Sequence, residues 1–227
     1  MKKNVSLLQL ENNPQIGMYF IVTDDFTLCG KLLKDEEKNQ IENILNTPIT
    51  HFTCYNSEII GVFMQVDVYT KALYIPNDLY ESEFKLIEEI CEKHNYSLIQ
   101  ISSTNNAIGN LIASTPNALI ISQELKKNIA EIEKKSQKKV VVLENENYHQ
   151  AGALIYSINS KTLASSHLDD NSLSKIENQI DNITTINNGS AYISSGLVSN
   201  SQGILIGDLT TSVEIQTILE TLGFLNN

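Results

Sequence analysis

Three cysteines, Cys29, Cys54 and Cys91, offer the most direct route to covalent chemistry in this sequence, because a thiolate is a strong nucleophile. They lie far apart, form no CxxC pair and are odd in number, which fits reduced thiols in a cytosolic or nuclear setting. In that state a free cysteine reads as a small apolar core residue. His51 and Cys54 invite a metal reading, but an odd separation within a strand puts them on opposite faces, so no shared ion is expected. Asp24-Asp25 and Asp169-Asp170 read as turn or cap acids rather than as a catalytic carboxylate pair. The sequence has no GxxxxGKS/T phosphate loop, no HExxH and no GxSxG. No catalytic residue, metal or cofactor is therefore expected.

The 227 residues are 41% hydrophobic, enough for a sizeable core. No apolar run approaches the roughly 18–20 residues of a membrane span. Met1-Lys2-Lys3-Asn4 is followed by neither a long apolar stretch nor a small-residue cleavage site, so no signal peptide is expected. With 27 acids against 16 bases the net charge is −11, which disfavours broad binding to nucleic-acid phosphate and favours a basic partner. All 16 bases are lysine, so bidentate arginine clamps are absent. Lys126, Lys127, Lys134, Lys135, Lys138 and Lys139 cluster in one stretch with Glu131 and Glu133 among them. They read as a solvated helix face with i,i+4 pairs, the alternative being a local phosphate contact.

What positions these residues is a repeat. Gly17, Gly61, Gly109, Gly152 and Gly196 recur at spacings of 44, 48, 43 and 44 residues. After each comes a short apolar run, as in Met18-Tyr19-Phe20-Ile21-Val22 and Val62-Phe63-Met64-Gln65-Val66, then a polar turn and a second apolar run, at 26–29, 72–75, 118–121, 162–164 and 204–206. This is a hairpin pattern. Helical periodicity follows at 35–45, 81–94, 124–137 and 171–180, and the capping box Thr211-Ser212-Val213-Glu214 opens a fifth helix. Third strands are expected at 49–55, 97–102, 139–143 and 183–186. The fifth unit lacks one, while a spare strand at 5–10 precedes the first unit, so the two chain ends are expected to pair and close a ring. The sequence thus predicts an α/β fold, a closed five-fold pseudosymmetric α/β propeller of five β-β-α-β repeats of about 44 residues. The repeats run over 14–58, 59–106, 107–149, 150–193 and 194–227 of a single domain spanning 1–227, with helices outside and small or apolar residues at the axis.

Glu11-Asn12-Asn13-Pro14-Gln15-Ile16-Gly17, Ala107-Ile108-Gly109-Asn110, 118–125 and Gly203-Ile204-Leu205-Ile206-Gly207-Asp208-Leu209-Thr210-Thr211 stand in the order seen in the archaeal and eukaryotic translation initiation factor 6 family. The chain resembles that family over nearly its whole length. The resemblance implies a non-enzymatic monomer that binds the large ribosomal subunit at its intersubunit face. There it prevents premature joining of the small subunit and acts in large-subunit maturation. It implies contact with a ribosomal protein of the uL14 type and with rRNA near the sarcin–ricin loop, release by a GTPase and its cofactor, and a cytoplasmic location with nuclear and nucleolar passage in a eukaryote. No membrane association is expected. The turn Val68-Tyr69-Thr70-Lys71 departs from the family by lacking a glycine.

The recurring glycines fit a crowded axis that tolerates no Cβ. They and their followers are expected to form one annular face, so the ribosome-binding residues are taken as Gly17, Met18, Gly61, Val62, Gly109, Asn110, Gly152, Leu154 and Gly196. Asn110 is the polar member among apolar equivalents. The alternative function is a divergent pentein enzyme acting on guanidino compounds, since deiminases and amidinotransferases share the ring. That class resembles a Cys nucleophile with His and paired carboxylates around the axis, a set that does not accompany Cys29 or Cys54 here.

Overall fold

The computed structural model of the chain describes residues 4–145 and 147–225. Residues 1–3, where no signal segment is expected, Glu146 of the third repeat, and residues 226–227 at the end of the fifth lie outside them. The strands are β1 (Asn4–Leu8), β2 (Phe20–Val22), β3 (Thr27–Cys29), β4 (Ile49–His51), β5 (Gln65–Asp67), β6 (Ala72–Pro76), β7 (Ser97–Ile101), β8 (Ile112–Ser114), β9 (Ala118–Ser122), β10 (Lys139–Leu143), β11 (Ile155–Ile158), β12 (Lys161–Ser165), β13 (Asn182–Thr184), β14 (Leu197–Ser199) and β15 (Gly203–Gly207). The outer helices are α1 (Asp35–Leu45), α2 (Glu81–His94), α3 (Ile129–Ser136), α4 (Asp170–Ile176) and α5 (Ser212–Thr221).

The strands form five separate three-stranded sheets. In four of them, an antiparallel hairpin is followed through a helix by a parallel third strand. The fifth sheet takes its third strand from the other chain end: β1 pairs parallel with β15, Val5 opposite Ile204 and Leu7 opposite Ile206. Second strands such as β9, Ala-Leu-Ile-Ile-Ser, are buried at every position, as continuous apolar runs covered on both faces should be. The helices follow the expected periodicity. In α2, Ile87 and Cys91 are buried one turn apart, and Asn95 ends the helix in the left-handed region with φ 59°.

The hydrophobic cores lie between sheets rather than within them. Leu28 and Phe52 of the first unit pack with Leu73 and Ile87 of the second. Ile101 of the second packs with Leu119 and Ile132 of the third. Ile120 and Leu143 meet Leu154 and Ile176, and Leu163 and Ile186 meet Ile206 and Ile218. The fifth core joins Leu8, Val198 and Leu205 to Phe20, Ile41 and Leu45, which is the last unit packed on the first. A unit standing alone would bury neither face, so the ring is the stable object.

Element ends depart from the sequence reading at definite places. The run after Gly17, Gly61, Gly109 and Gly152 is not strand from its start, because each of these glycines lies within a single helical turn, at Ile16–Tyr19, Ile60–Phe63, Ile108–Leu111 and Ala151–Leu154; the fifth turn, Ile193–Gly196, ends at Gly196, and the run after it is strand at once. The strand expected at 49–55 stops at His51, because Tyr55 and Asn56 take positive φ in the tight turn that bridges Cys54 to Ser57. The helix expected at 124–137 begins as a 3-10 segment, Gln123–Asn128. The one expected at 171–180 ends as another, Glu177–Gln179.

Candidate annular face and axial cavity

The five single-turn helices pack on one another in chain order, and the fifth packs on the first. Their glycines are required by the approach of backbone to backbone. A Cβ on Gly61 would stand 2.2 Å from the carbonyl oxygen of Gly17. One on Gly109 would stand 2.2 Å from Gly61 O, and one on Gly152 2.0 Å from Gly109 O. A Cβ on Gly17 would stand 1.9 Å from Ser194 O, so the circle closes through Ser194 and not through Gly196.

That contact corrects the fifth repeat. Aligned by their helical turns, Ile16-Gly17-Met18, Ile60-Gly61-Val62 and Ile108-Gly109-Asn110 correspond to Ile193-Ser194-Ser195. A serine therefore fills the glycine position, its hydroxyl donating to Ile155 O at 2.7 Å. Gly196 is buried two residues further on, against Ile186 and Asn187. Leu154 is likewise misplaced as a face residue: it is fully buried in the core between the third and fourth sheets. The structure brings Gly17, Met18, Gly61, Val62, Gly109, Asn110 and Gly152 together around one mouth, joined by Ala153, Ser194 and Ser195. The side-chain amide of Asn110 makes no hydrogen bond to any described residue, while its backbone N–H donates to Ala107 O at 2.9 Å. The period of the glycines carried no signal for Ser194 and Ser195, because there the invariant is the turn and not the residue.

Below the mouth the inner strands enclose an axial cavity of about 90 Å³. Its walls are mostly apolar, but hydroxyls line it as well, more than the sequence reading expected. Tyr156 Oη exchanges a hydrogen bond with Ser199 Oγ at 3.0 Å and accepts from Ser199 N at 2.7 Å. Tyr69 Oη pairs with Ser157 Oγ at 2.7 Å. Burial pushes the Tyr156 hydroxyl up to about 12, despite the hydrogen bonds from Ser199. Among the described residues no carboxylate, histidine or thiol lines this cavity.

The thiols lie elsewhere. Cys29, Cys54 and Cys91 are all buried. Burial raises the Cys29 thiol to about 12 and that of Cys91 to about 11, and it also raises Cys54, where Glu83 adds to the shift. His51 is exposed, its Nε2 3.0 Å from Gly30 O, while Cys54 points inward. Among the described residues no group of three or more His, Cys, Asp or Glu is placed to hold a metal ion. Asp25 pairs with Lys71 at 2.8 Å and Asp169 caps α4 by accepting from Ser172 N, as turn and cap acids should.

Carboxylates and one lysine hold the loops around the mouth. Lys31 bridges Glu11 and Glu58, which precede the first and second turns, and its ammonium lies 4.9 Å over the Tyr19 ring. Glu83 accepts from Tyr55 N and Asn56 N, each at 2.9 Å. Glu214 accepts from Thr211 N at 2.8 Å, Gly189 N at 2.9 Å and Thr185 Oγ1 at 2.6 Å. Burial alone would raise the Glu214 carboxyl, but these donors outweigh it and hold it down at about 2. In the lysine cluster, Lys135 pairs with Glu131 at 2.7 Å in the expected i,i+4 manner. Lys138 does not belong to the solvated face. It is buried, 2.7 Å from the fully buried Asp67 and 2.6 Å from Thr115 O, over the Tyr69 ring.

A sequence profile of the eIF-6 family matches residues 5–221. Translation initiation factor 6 of Thermococcus onnurineus is 28% identical over 98% of this chain and 100% of its own length. That of Pyrococcus horikoshii is 25% identical over 97% and 99%, and that of Sulfolobus acidocaldarius 28% over 93% and 95%. Among solved structures, the N-terminal domain of the cyanobacterial arginine dihydrolase ArgZ superposes with a TM-score of 0.57 at 10% identity, covering 82% of this chain and 74% of that one. A dimethylarginine dimethylaminohydrolase superposes at 0.54 and 11%, covering 74% and 67%. At such identities these two show a shared pentein-like fold.

Proposed function

The chain belongs to the eIF-6 family, and from that membership we propose that it binds the large ribosomal subunit at its intersubunit face and keeps the small subunit from joining prematurely. The role carries with it a part in large-subunit maturation, contact with a uL14-type ribosomal protein and with rRNA near the sarcin–ricin loop, and removal by a GTPase with its cofactor. The observation that supports the reading best is the annular mouth. Five turns present Met18, Val62, Asn110, Ala153 and Ser195 at one end of the ring, and the Asn110 amide has no hydrogen-bond partner among the described residues. A largely uncharged rim with an amide that bonds no described residue suits a protein surface better than a phosphate backbone. The charge of −11 favours a basic protein partner.

The guanidine-acting enzymes share the fold, but fold alone does not carry function. Their chemistry calls for a nucleophile at the axis, and here the polar side chains that line the axial cavity among the described residues are hydroxyls and amides, while the thiols are buried outside it. Among the described residues no helix is long and apolar enough to cross a membrane.

Co-sedimentation with separated ribosomal subunits from the same organism tests the proposal. The expected result is salt-resistant binding to the large subunit alone, with fewer joined ribosomes. Binding to neither subunit by the folded protein overturns it, and turnover of a guanidino substrate would replace it with the enzymatic reading.

A further inference from the structure

The outer strand of each sheet has one unpaired edge, and a bare edge is a template for another chain. On three sheets a side chain covers it. Glu42 accepts from Ile49 N of β4 at 2.7 Å, Glu133 accepts from Val140 N of β10 at 3.1 Å, and Lys135 donates to Gln100 O of β7 at 2.9 Å. The outer strand of the fourth sheet, β13, is only three residues long. β1 differs from all of these. Its inward groups are engaged along β15: Asn4 N donates to Gln202 O at 3.1 Å, and Leu8 O accepts from Asp208 N at 3.2 Å. Alternation therefore turns the N–H and C=O of Val5 and Leu7 to the open side. Among the described residues only Ser6 Oγ reaches them, donating to Leu7 O at 3.3 Å, and neither N–H is covered.

The side chains repeat the pattern. Val5 and Leu7 share register, and so a sheet face, with Ile204 and Ile206, which are fully buried. Helix α5, the helix of that unit, packs on β12 and β13. Val5 is left 39% exposed and Leu7 46%. No charge and no proline blunts residues 4–8.

We propose that the β1 edge is a strand-addition site for an extended basic segment of a large-subunit protein with apolar residues at alternate positions, an inference that rests on the large-subunit reading above. Charge selects the occupant. Asp208 stands at the end of the strand pair, its N–H donating to Leu8 O, and Asp35, Glu36 and Glu37 open α1, the helix packed on β1 and β15. A basic segment is attracted there, whereas a second copy of a chain of charge −11 is repelled. Area points the same way. A five-residue strand pair falls well short of the roughly 1,200 Å² of a free-standing interface, so the edge serves a partner already held elsewhere. β1 leads through the turn at residues 10–13 to the first single-turn helix of the mouth, so the edge and the mouth belong to neighbouring stretches of the chain. The added strand donates and accepts at Val5 and Leu7, and its apolar side chains cover theirs.

The test combines co-sedimentation with purified large subunits and hydrogen exchange of the full chain, free and bound. Leu7→Pro removes an outward N–H and spares the bonds to β15; Val5→Lys guards the edge without touching the backbone. On binding, exchange at Val5 and Leu7 should slow, and both variants should bind about tenfold more weakly at an unchanged melting temperature, as loss of one or two hydrogen bonds and their apolar cover requires. Should Leu7→Pro lower the melting temperature, Val5→Lys decides. If the unaltered chain binds large subunits but exchange at both residues is unchanged, or both variants bind equally well, the strand-addition site is wrong and the large-subunit reading stands. If the unaltered chain does not bind, both fall. A concentration-dependent dimer in light scattering that Val5→Lys abolishes assigns the edge to a second copy and overturns the proposal.

Discussion

Gly109→Ala separates two accounts of the recurring glycine by the sign of its effect. Gly109 sits within a helical turn, where alanine is ordinarily favoured over glycine by about 1 kcal/mol. If the glycine were incidental, the substitution would stabilise the protein by that amount. The geometry says otherwise. The new Cβ would lie 2.2 Å from Gly61 O, 2.5 Å from Met64 O and 2.9 Å from Val62 O, all of them backbone atoms. Each contact must open toward the roughly 3.4 Å of van der Waals separation, so one turn must shift by about 1 Å against its neighbour. In an open array the shift would move one end of the chain. In a closed ring it is forced onto the other four interfaces, placing the cost at or above the 1–3 kcal/mol typical of overpacking, about 4 kcal/mol. Subtracting the propensity gain leaves about 3 kcal/mol, a fall in melting temperature of roughly 6–12 °C for a domain of this size. Ser194→Ala is the internal control. That position already holds a Cβ, and the change removes only the hydroxyl bonded to Ile155 O, about 1 kcal/mol or roughly 2–4 °C. Thermal denaturation followed by circular dichroism reads both variants. A Gly109→Ala protein that melts at or above the unaltered one would refute the crowded-ring argument.

Three further outcomes follow from the same geometry. Asn110→Arg should leave the melting temperature unchanged and weaken large-subunit binding at least about tenfold, because the face residue is replaced by a longer charged one where the amide bonds no described residue; equal co-sedimentation of the folded variant would remove Asn110 from the interface. Lys138→Met should destabilise by about 3–5 kcal/mol by leaving the fully buried Asp67 without its cation, and adding Asp67→Asn should recover much of the loss; a single variant as stable as the unaltered chain would show that the pair is not coupled. Glu214 titrates at about 2 in the fold against 4.5 ordinarily, so its contribution is whole above pH 4.5, falls away between pH 4.5 and 2, and amounts to at most about 3 kcal/mol. Acid unfolding of Glu214→Gln should accordingly be shallower over that window than that of the unaltered chain, with a lower stability at neutral pH; parallel acid curves would contradict the assignment.

The fold was legible because its signals are local and repeated. Helix periodicity at 81–94, the capping box at Thr211 and the apolar runs of the hairpins each point to one element, and five copies reinforce one another. Closure was legible for a different reason: a spare strand at one end and a missing one at the other is an arithmetic mismatch that only pairing resolves. The single-turn helices were not legible. Four residues fix too few dihedrals to leave a periodicity, and Met18-Tyr19 or Val62-Phe63 are apolar enough to read as strand. Lys138 was hidden by its neighbours. Its partner Asp67 is remote in sequence, and a lysine among lysines carries no mark of burial.

The misplaced fifth repeat shows what a glycine period measures. The ring needs a particular approach of one turn's carbonyl to the next turn's Cα, and glycine is one solution to it. At Ser194 the approach is satisfied with a side chain present, since its hydroxyl folds back to Ile155 O. Gly196 then answers to a separate need, the close packing of Ile186 and Asn187. Leu154 followed the same error, because a residue two places beyond the glycine points into the core between sheets rather than to the mouth. The face is thus defined by the second and third residues of each turn, whatever their type, and those positions vary from Met18 to Ser195 while the backbone beneath them does not. A ring built in this way separates its stability, held by carbonyls and glycines, from its recognition surface, held by five side chains free to differ. That separation lets the axis of this chain be lined by hydroxyls while the rim above it carries side chains as different as Met18, Asn110 and Ser195.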